Sequence, residues 1–296
     1  MRRPEAMWAR RLLLSLCLLF AGALGAASEV PAFPFVLTKP AGAGPFPAVV
    51  ILHDCSGLGP KSSGAPWRWS TVLTERGYVT IWPDSFTPRG RPKGVCVDAR
   101  PPRVTFEERA GDAYAALAYL RSLPFVDAKR VAVMGGSHGG SSTLAAVVDT
   151  PGTAEQGNIG FAAAIALYPR CGRNFGSWTV TRTRDSGRLR LAYEGAFKPR
   201  APLLILIGEL DDWTPPEPCR RLVAAARAAG FPVEIKVYAA AHHSFDSKAP
   251  VRYVAERINV DAPTGRGATT GGNAEAWEDA IGRVERFLSE HLAKHR

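Results

Sequence analysis

A serine held between glycines at the end of an apolar run is the first residue whose setting suggests chemistry. In VAVMGGSHGGSS (131–142), Gly135, Ser137 and Gly139 form G-x-S-x-G, directly after a β-branched run and directly before an apolar, Ala-rich stretch. On a sharp strand-to-helix turn a serine occupies strained backbone, and bulky neighbours would clash, so small residues must flank it. The turn pushes Oγ out at the sheet edge, and the following helix points its first N–H groups towards developing negative charge. The alternative is a tight glycine turn with an incidental serine, because the pattern alone recurs by chance.

A serine hydroxyl needs a base, and a histidine base needs a partner that orients it. Downstream, LLILIGELDDWTP (203–215) reads as a strand running into an acidic turn. Asp211 and Asp212 compete there: one carboxylate would reach a histidine while the other caps the helix that follows. After a further strand comes AAAHHSFD (239–246), where only one of the adjacent His242 and His243 can point into a site. An isolated histidine is more often structural. A histidine pair after a serine turn and an acidic turn is not isolated.

These groups need a scaffold that brings strand ends to one edge. Short apolar, β-branched runs alternate with helical stretches, the pattern of a parallel sheet covered on both faces. Candidate strands are Ala48–Leu52, Tyr78–Trp82, Arg130–Met134, Phe161–Tyr168, Leu203–Ile207 and Val233–Tyr238. Candidate helices are Phe106–Leu123, Glu217–Ala229 and Glu275–Leu292, the second opened by Pro215 and Pro216 and closed by Gly230. Gly172–Arg200 and Asp246–Gly272 read as long irregular connections bordering the site. With no internal repeat and no dividing linker, residues 28–296 are expected to form one domain.

Taken together, these segments resemble the dienelactone hydrolase-like members of the α/β hydrolases. The resemblance rests on GGSHGG, GELDDWTP, YAAAHHSFD and ILHDCSGL (51–58), and covers the chain from about Pro45 to the C-terminal helix. It implies an α/β-hydrolase fold, a mostly parallel central sheet with helices on both faces, with the order Ser, acid, His. The family's G-x-x-D-x-x-x-P pattern falls on Gly208, Asp211 and Pro215, which implies Asp211 rather than Asp212 as the acid. Its histidine, followed by a small residue and Phe, matches His243–Ser244–Phe245 and leaves His242 a packing or supporting role. An oxyanion site made by the backbone N–H groups of Cys55 and His138 is also implied, with His53 and Asp54 shaping the loop. The namesake enzymes use a cysteine nucleophile where this chain has Ser137. General ester chemistry is therefore expected in place of dienelactone cleavage.

The expected reaction is a two-step acyl transfer on a small carboxylic ester or lactone, with Ser137 as nucleophile, His243 as base and Asp211 as orienting acid. It calls for no cofactor and no metal. A peptidase or amidase of the same fold is the nearest alternative enzyme, and a catalytically silent binding protein is the alternative outside enzymes. Arg89, Arg91, Arg170 and Arg173 follow strands on the presumed edge. They either hold a substrate carboxylate, as arginines do in some relatives, or are solvated loop residues.

Composition sets the remaining bounds. Arg2, Arg3, Arg10 and Arg11 precede an apolar run of about 13 residues from Leu12 to Leu24, followed by GAAS. This is the pattern of a secretory leader cleaved near Ala26 or Ala27, and the run is shorter than the ~20 residues of a membrane anchor. Cys17 follows Leu16, where a lipid-attachment signal requires a small residue. Removal of residues 1–27 lowers the net charge from +10 to +7, leaving 33 Lys and Arg against 26 Asp and Glu. The arginines are scattered and no recognition motif accompanies them, so nucleic acid is not an expected partner, nor is a stable membrane anchor. Four cysteines remain, Cys55, Cys96, Cys171 and Cys219, without the spacing of a zinc site. In a periplasmic or secreted protein they are expected to pair. Cys171 follows the strand before the acid strand and Cys219 follows the acid turn, so the expected pairs are Cys171–Cys219 and Cys55–Cys96.

Overall fold

Apolar runs paired in register dictate the centre of the molecule. The computed structural model describes residues 33–98, 100, 101, 103–149, 160–185 and 188–293; the expected leader lies outside the described residues. In chain order the sheet strands are β1 (Phe35–Thr38), β2 (Phe46–Leu52), β3 (Val79–Pro83), β4 (Val126–Gly136) and β5 (Ala163–Leu167), then β8 (Leu203–Gly208) and β9 (Val233–Tyr238). They pair in the order β1-β3-β2-β4-β5-β8-β9, and every pair is parallel except β1 with β3. One row of residues crosses the sheet: Val50 opposite Val133, Val133 opposite Ala164, Ala164 opposite Leu203 and Leu203 opposite Val233. All five are buried. Strands covered on both faces must be apolar at every position, which is why β2, β5 and β8 read as unbroken aliphatic runs.

Helices α1 (Ala65–Glu75), α2 (Phe106–Ser122), α3 (His138–Val147), α4 (Pro216–Ala228) and α5 (Ala274–His291) cover the two faces. In α2, Thr105 accepts from the Glu108 N–H and the Glu108 carboxylate accepts from the Thr105 N–H, a closed capping box that fixes where the helix begins. In α5, Ala276, Ala280, Val284 and Phe287 recur at helical spacing and are buried, so that one stripe faces the sheet. Trp277 of α5 meets Trp69 of α1 edge-on at 4.6 Å, which joins these two helices on one face. Among the described residues, no helix is long and apolar enough to cross a membrane.

The six expected strands and three expected helices are present with ends shifted by a few residues. Two expectations are corrected. The stretches read as irregular each contain an antiparallel hairpin: β6 (Thr179–Asp185) with β7 (Arg188–Glu194), and β10 (Arg252–Ile258) with β11 (Arg266–Thr270). In β6 and β7, Thr, Val and Leu alternate with Arg, and β6 and β10 are largely exposed, so these strands lack the apolar density of core strands. Strand β1 and helix α1 were not anticipated: β1 has four residues, and α1 starts after Gly64 in a left-handed conformation with Pro near its first turn.

Parallel strands present their C-terminal ends together. Leu52, Gly136, Leu167 and Gly208 therefore open onto one edge of the sheet, and the loops leaving them meet there. Both expected disulfides are formed, Cys55–Cys96 and Cys171–Cys219. The first ties the loop after β2 to the segment before α2, and the second ties the segment after β5 to α4.

Candidate active site

Ser137 stands alone between β4 and α3, at φ 55° and ψ −115°. For a residue with a Cβ this positive φ is strained, and the surrounding glycines explain how it is tolerated. A Cβ on Gly139 would lie 2.1 Å from the Leu52 carbonyl oxygen, and one on Gly135 would lie 2.5 Å from the Gly139 carbonyl carbon. The elbow thus packs directly on the end of β2, a closeness that only glycine permits. Ser137 N–H donates to the Leu167 carbonyl at 2.9 Å, fixing the turn to β5.

Three side chains from three strand ends meet there. Ser137 Oγ lies 2.9 Å from His243 Nε2, and His243 Nδ1 lies 2.8 Å from Asp211 Oδ2. An ionised carboxylate can only accept, so Nδ1 carries the ring proton and Nε2 is left to accept from the serine hydroxyl. All three residues are buried. Asp211 is further held by the N–H groups of Trp213 and Thr214 on Oδ1 (3.0 and 2.8 Å) and by the Thr214 hydroxyl on Oδ2 (2.9 Å). The Tyr168 and Trp213 rings each pack at 4.7 Å against the His243 ring. Such a chain of groups can draw a proton from Oγ as it attacks a carbonyl carbon and hold the resulting imidazolium.

The competing residues go elsewhere. Asp212 accepts from the N–H and hydroxyl of Thr269, at 2.7 and 2.8 Å, and so fastens β11; it does not cap α4. His242 bonds the Leu210 carbonyl at 2.9 Å. Arg89 makes two 2.8 Å bonds to Asp112, Arg91 pairs with Asp98 at 3.1 Å and Arg173 with Glu107 at 2.9 Å. Of the four arginines, Arg170 lines the cleft beside Ser137, and burial lowers its pKa.

That cleft has two lobes meeting at Cys55, Cys96, Ser137 and Trp213. The lobe of about 170 Å³ is lined mainly by apolar groups, among them Val95, Phe106, Ile258 and Val260. The lobe of about 240 Å³ is more polar, lined by Lys61, Arg252 and Arg257 together with Asp54 and several serines. The β10–β11 hairpin contributes to both. Among the described residues, one group of potential metal ligands lies close together, Asp54 with Cys55 and Cys96, but the two sulfurs are spent on each other in the disulfide.

Around the elbow, charge is arranged without display to solvent. His53 is buried; its Nε2 accepts from the Ser85 N–H at 3.2 Å, so its Nδ1 carries the proton and donates to the Asp54 carbonyl at 2.8 Å. His138 Nε2 donates to the Val104 carbonyl at 3.2 Å, leaving Nδ1 to accept from Arg109 at 2.8 Å. Burial, and secondarily Arg109, hold both histidines well below the ordinary imidazole range, so both rings are neutral. Buried Asp246 accepts from the Tyr168 hydroxyl and the Trp69 N–H, both at 2.8 Å, and burial raises its pKa. No local pattern in the sequence marks Tyr168, Trp213, Thr214 or Arg109 as part of the site. A signal for the burial of the last exists: Arg109 falls on the same α2 stripe as the buried Ala113, Ala116, Leu117 and Leu120.

The profile of the dienelactone hydrolase family matches residues 33–292. Among solved structures, the chain is similar to a putative dienelactone hydrolase from Klebsiella pneumoniae, with 20% identity over 87% of this chain and 93% of that one and a TM-score of 0.59. It is also similar to Thermogutta terrifontis esterase 2. The paraoxon-phosphorylated form gives 19% identity over 88% and 90% of the two chains at TM-score 0.56, and the propionate-bound form 18% over 88% and 91% at 0.57. At these identities the structures speak for the fold. No curated protein matches the chain.

Proposed function

The chain belongs to the dienelactone hydrolase family, and from that premise we propose an exported serine hydrolase that cleaves small carboxylic esters or lactones. The observation that carries this reading is the unbroken line of hydrogen-bonding groups from Ser137 Oγ through His243 to Asp211, with spacings of 2.9 and 2.8 Å. His243 takes the Ser137 proton as Oγ attacks the carbonyl carbon, and Asp211 holds the imidazole in its tautomer and balances the imidazolium. The tetrahedral oxyanion is received by the N–H groups of Cys55 and His138. Collapse expels the alcohol, protonated by His243, and water activated by the same base releases the acid.

Family membership and the esterase neighbours support hydrolysis of an ester. A cleft of modest volume with one apolar lobe fits a small acyl or alcohol group. The two disulfides favour an oxidising compartment, in keeping with an exported chain whose residues 28–296 form one hydrolase domain. Turnover of p-nitrophenyl esters by wild type beside Ser137→Ala tests the reading: the variant should lose several orders of magnitude in kcat while remaining folded. Full turnover by the variant would refute it.

A further inference from the structure

We infer that Arg109 is a positioning residue for the oxyanion site, joining the two segments that supply its amides; this rests on the serine-hydrolase reading above. Arg109 belongs to α2, not to the serine, acid or histidine loops, and its side chain is fully buried. Its two terminal nitrogens go to different places. Nη2 donates to the His53 carbonyl at 2.6 Å, in the loop that carries Cys55. Nη1 donates to His138 Nδ1 at 2.8 Å, on the residue after the serine. One planar guanidinium therefore bridges the loop after β2 and the first residue of α3, a reach that its forked geometry allows and a point-like ammonium does not.

The loop shows what that bridge secures. Three successive carbonyls are pinned: His53 by Arg109, Asp54 by the His53 ring at 2.8 Å, and Cys55 by the Val95 N–H at 2.7 Å. In a trans peptide the C=O and N–H point in opposite directions, so holding the Asp54 carbonyl aims the Cys55 N–H away from the His53 ring. Among the described residues, neither the Cys55 N–H nor the His138 N–H has an acceptor, and both residues line the cleft beside Ser137. Phe86 completes the support. It is fully buried, the Arg109 guanidinium lies 4.9 Å over its ring, and it meets His53 at 4.6 Å and His138 at 5.5 Å edge-on. Two neutral histidines with opposite tautomers thus pack against one aromatic and share one arginine. No carboxylate is hydrogen-bonded to that arginine among the described residues, and a buried cation spent on a carbonyl and a ring nitrogen is costly unless the placement it secures matters.

A residue that only filled space would affect stability. A residue that aims oxyanion donors affects the transition state more than the bound substrate. The test compares wild type with Arg109→Lys, Arg109→Gln and His138→Leu, the last removing the arginine's acceptor while leaving the His138 amide. The readouts are kcat and KM on p-nitrophenyl butyrate, Ki for a trifluoromethyl ketone that adds to the serine, and circular dichroism. The expected result is a fall in kcat of about 10–100-fold with KM within about 3-fold, and a loss of ketone affinity that tracks kcat/KM. Folded Arg109→Lys or His138→Leu with wild-type kcat and Ki, or with a loss confined to KM, would overturn the inference. Should the Arg109 variants fail to fold, His138→Leu decides alone. Wild type that neither turns over the ester nor binds the ketone would sink the serine-hydrolase reading itself, and this inference with it.

Discussion

His243 Nδ1 and Asp211 Oδ2 lie 2.8 Å apart, and the same oxygen receives the Thr214 hydroxyl at 2.9 Å. The carboxylate is thus fixed by its own turn before it meets the imidazole, and its neighbour Asp212 is committed to Thr269. On the proposed mechanism, Asp211→Asn should lower kcat by about 10⁴-fold, because an amide no longer demands the Nδ1–H tautomer. Asp212→Asn should retain kcat within a few-fold and lower Tm, as β11 loses part of its anchor. Steady-state kinetics on the two variants check this; a greater loss of kcat from Asp212→Asn would reverse the assignment.

The two disulfides should separate activity from stability. Cys55–Cys96 sits at the meeting of both cleft lobes, and the Cys96 carbonyl also receives the Ile258 N–H at 2.9 Å, so this bond steadies the proposed oxyanion loop and the β10–β11 hairpin together. Replacing both cysteines by serine should cost about 2–4 kcal/mol of stability and lower kcat by about 10-fold or more. The corresponding Cys171/Cys219 double variant should lose comparable stability with activity retained. Denaturant titration beside kinetics distinguishes them, and equal activity in the two double variants would contradict the distinction.

Much of this site was legible along the chain, and the reasons for the remainder are physical. Ser137, the acid turn and the histidine pair lie at strand ends in a fixed order, so local pattern is enough to mark them as candidates. The preference for Asp211 over Asp212 and His243 over His242 rests on the family resemblance, because adjacent like residues differ only in which way the backbone aims them. Tyr168 and Arg109 make their contacts across the fold: Tyr168 reaches Asp246, 78 residues later, and Arg109 reaches His53, 56 residues earlier. No local spacing records such distances. The β6–β7 hairpin carries an alternation in TVTRTRD and RLRLAYE that is masked by charge on both strands, and RYVAERI and RGATT of β10–β11 carry no regular alternation at all.

Asp246 should give a pH signature of its own. Burial raises its pKa above the ordinary carboxylate value, so the folded state binds its proton more tightly than the unfolded state does. Its contribution to stability is therefore greatest below the ordinary carboxylate pKa and falls as pH rises towards the raised one. Asp246→Asn removes that dependence. The stability difference between wild type and variant should shift in the variant's favour as pH rises through the carboxylate range, measured as Tm against pH. A shift in wild type's favour would mean that the hydrogen bonds from Tyr168 and Trp69 outweigh burial.

Covalent capture bears on the proposed role of Ser137 as nucleophile without intervening assumptions. Wild type treated with a fluorophosphonate, digested and mapped by mass spectrometry should carry one adduct, on Ser137, formed slowly or not at all in His243→Ala. An unlabelled Ser137 in folded, disulfide-intact protein, or an adduct on another residue that forms equally well in His243→Ala, would rule out Ser137 as the nucleophile.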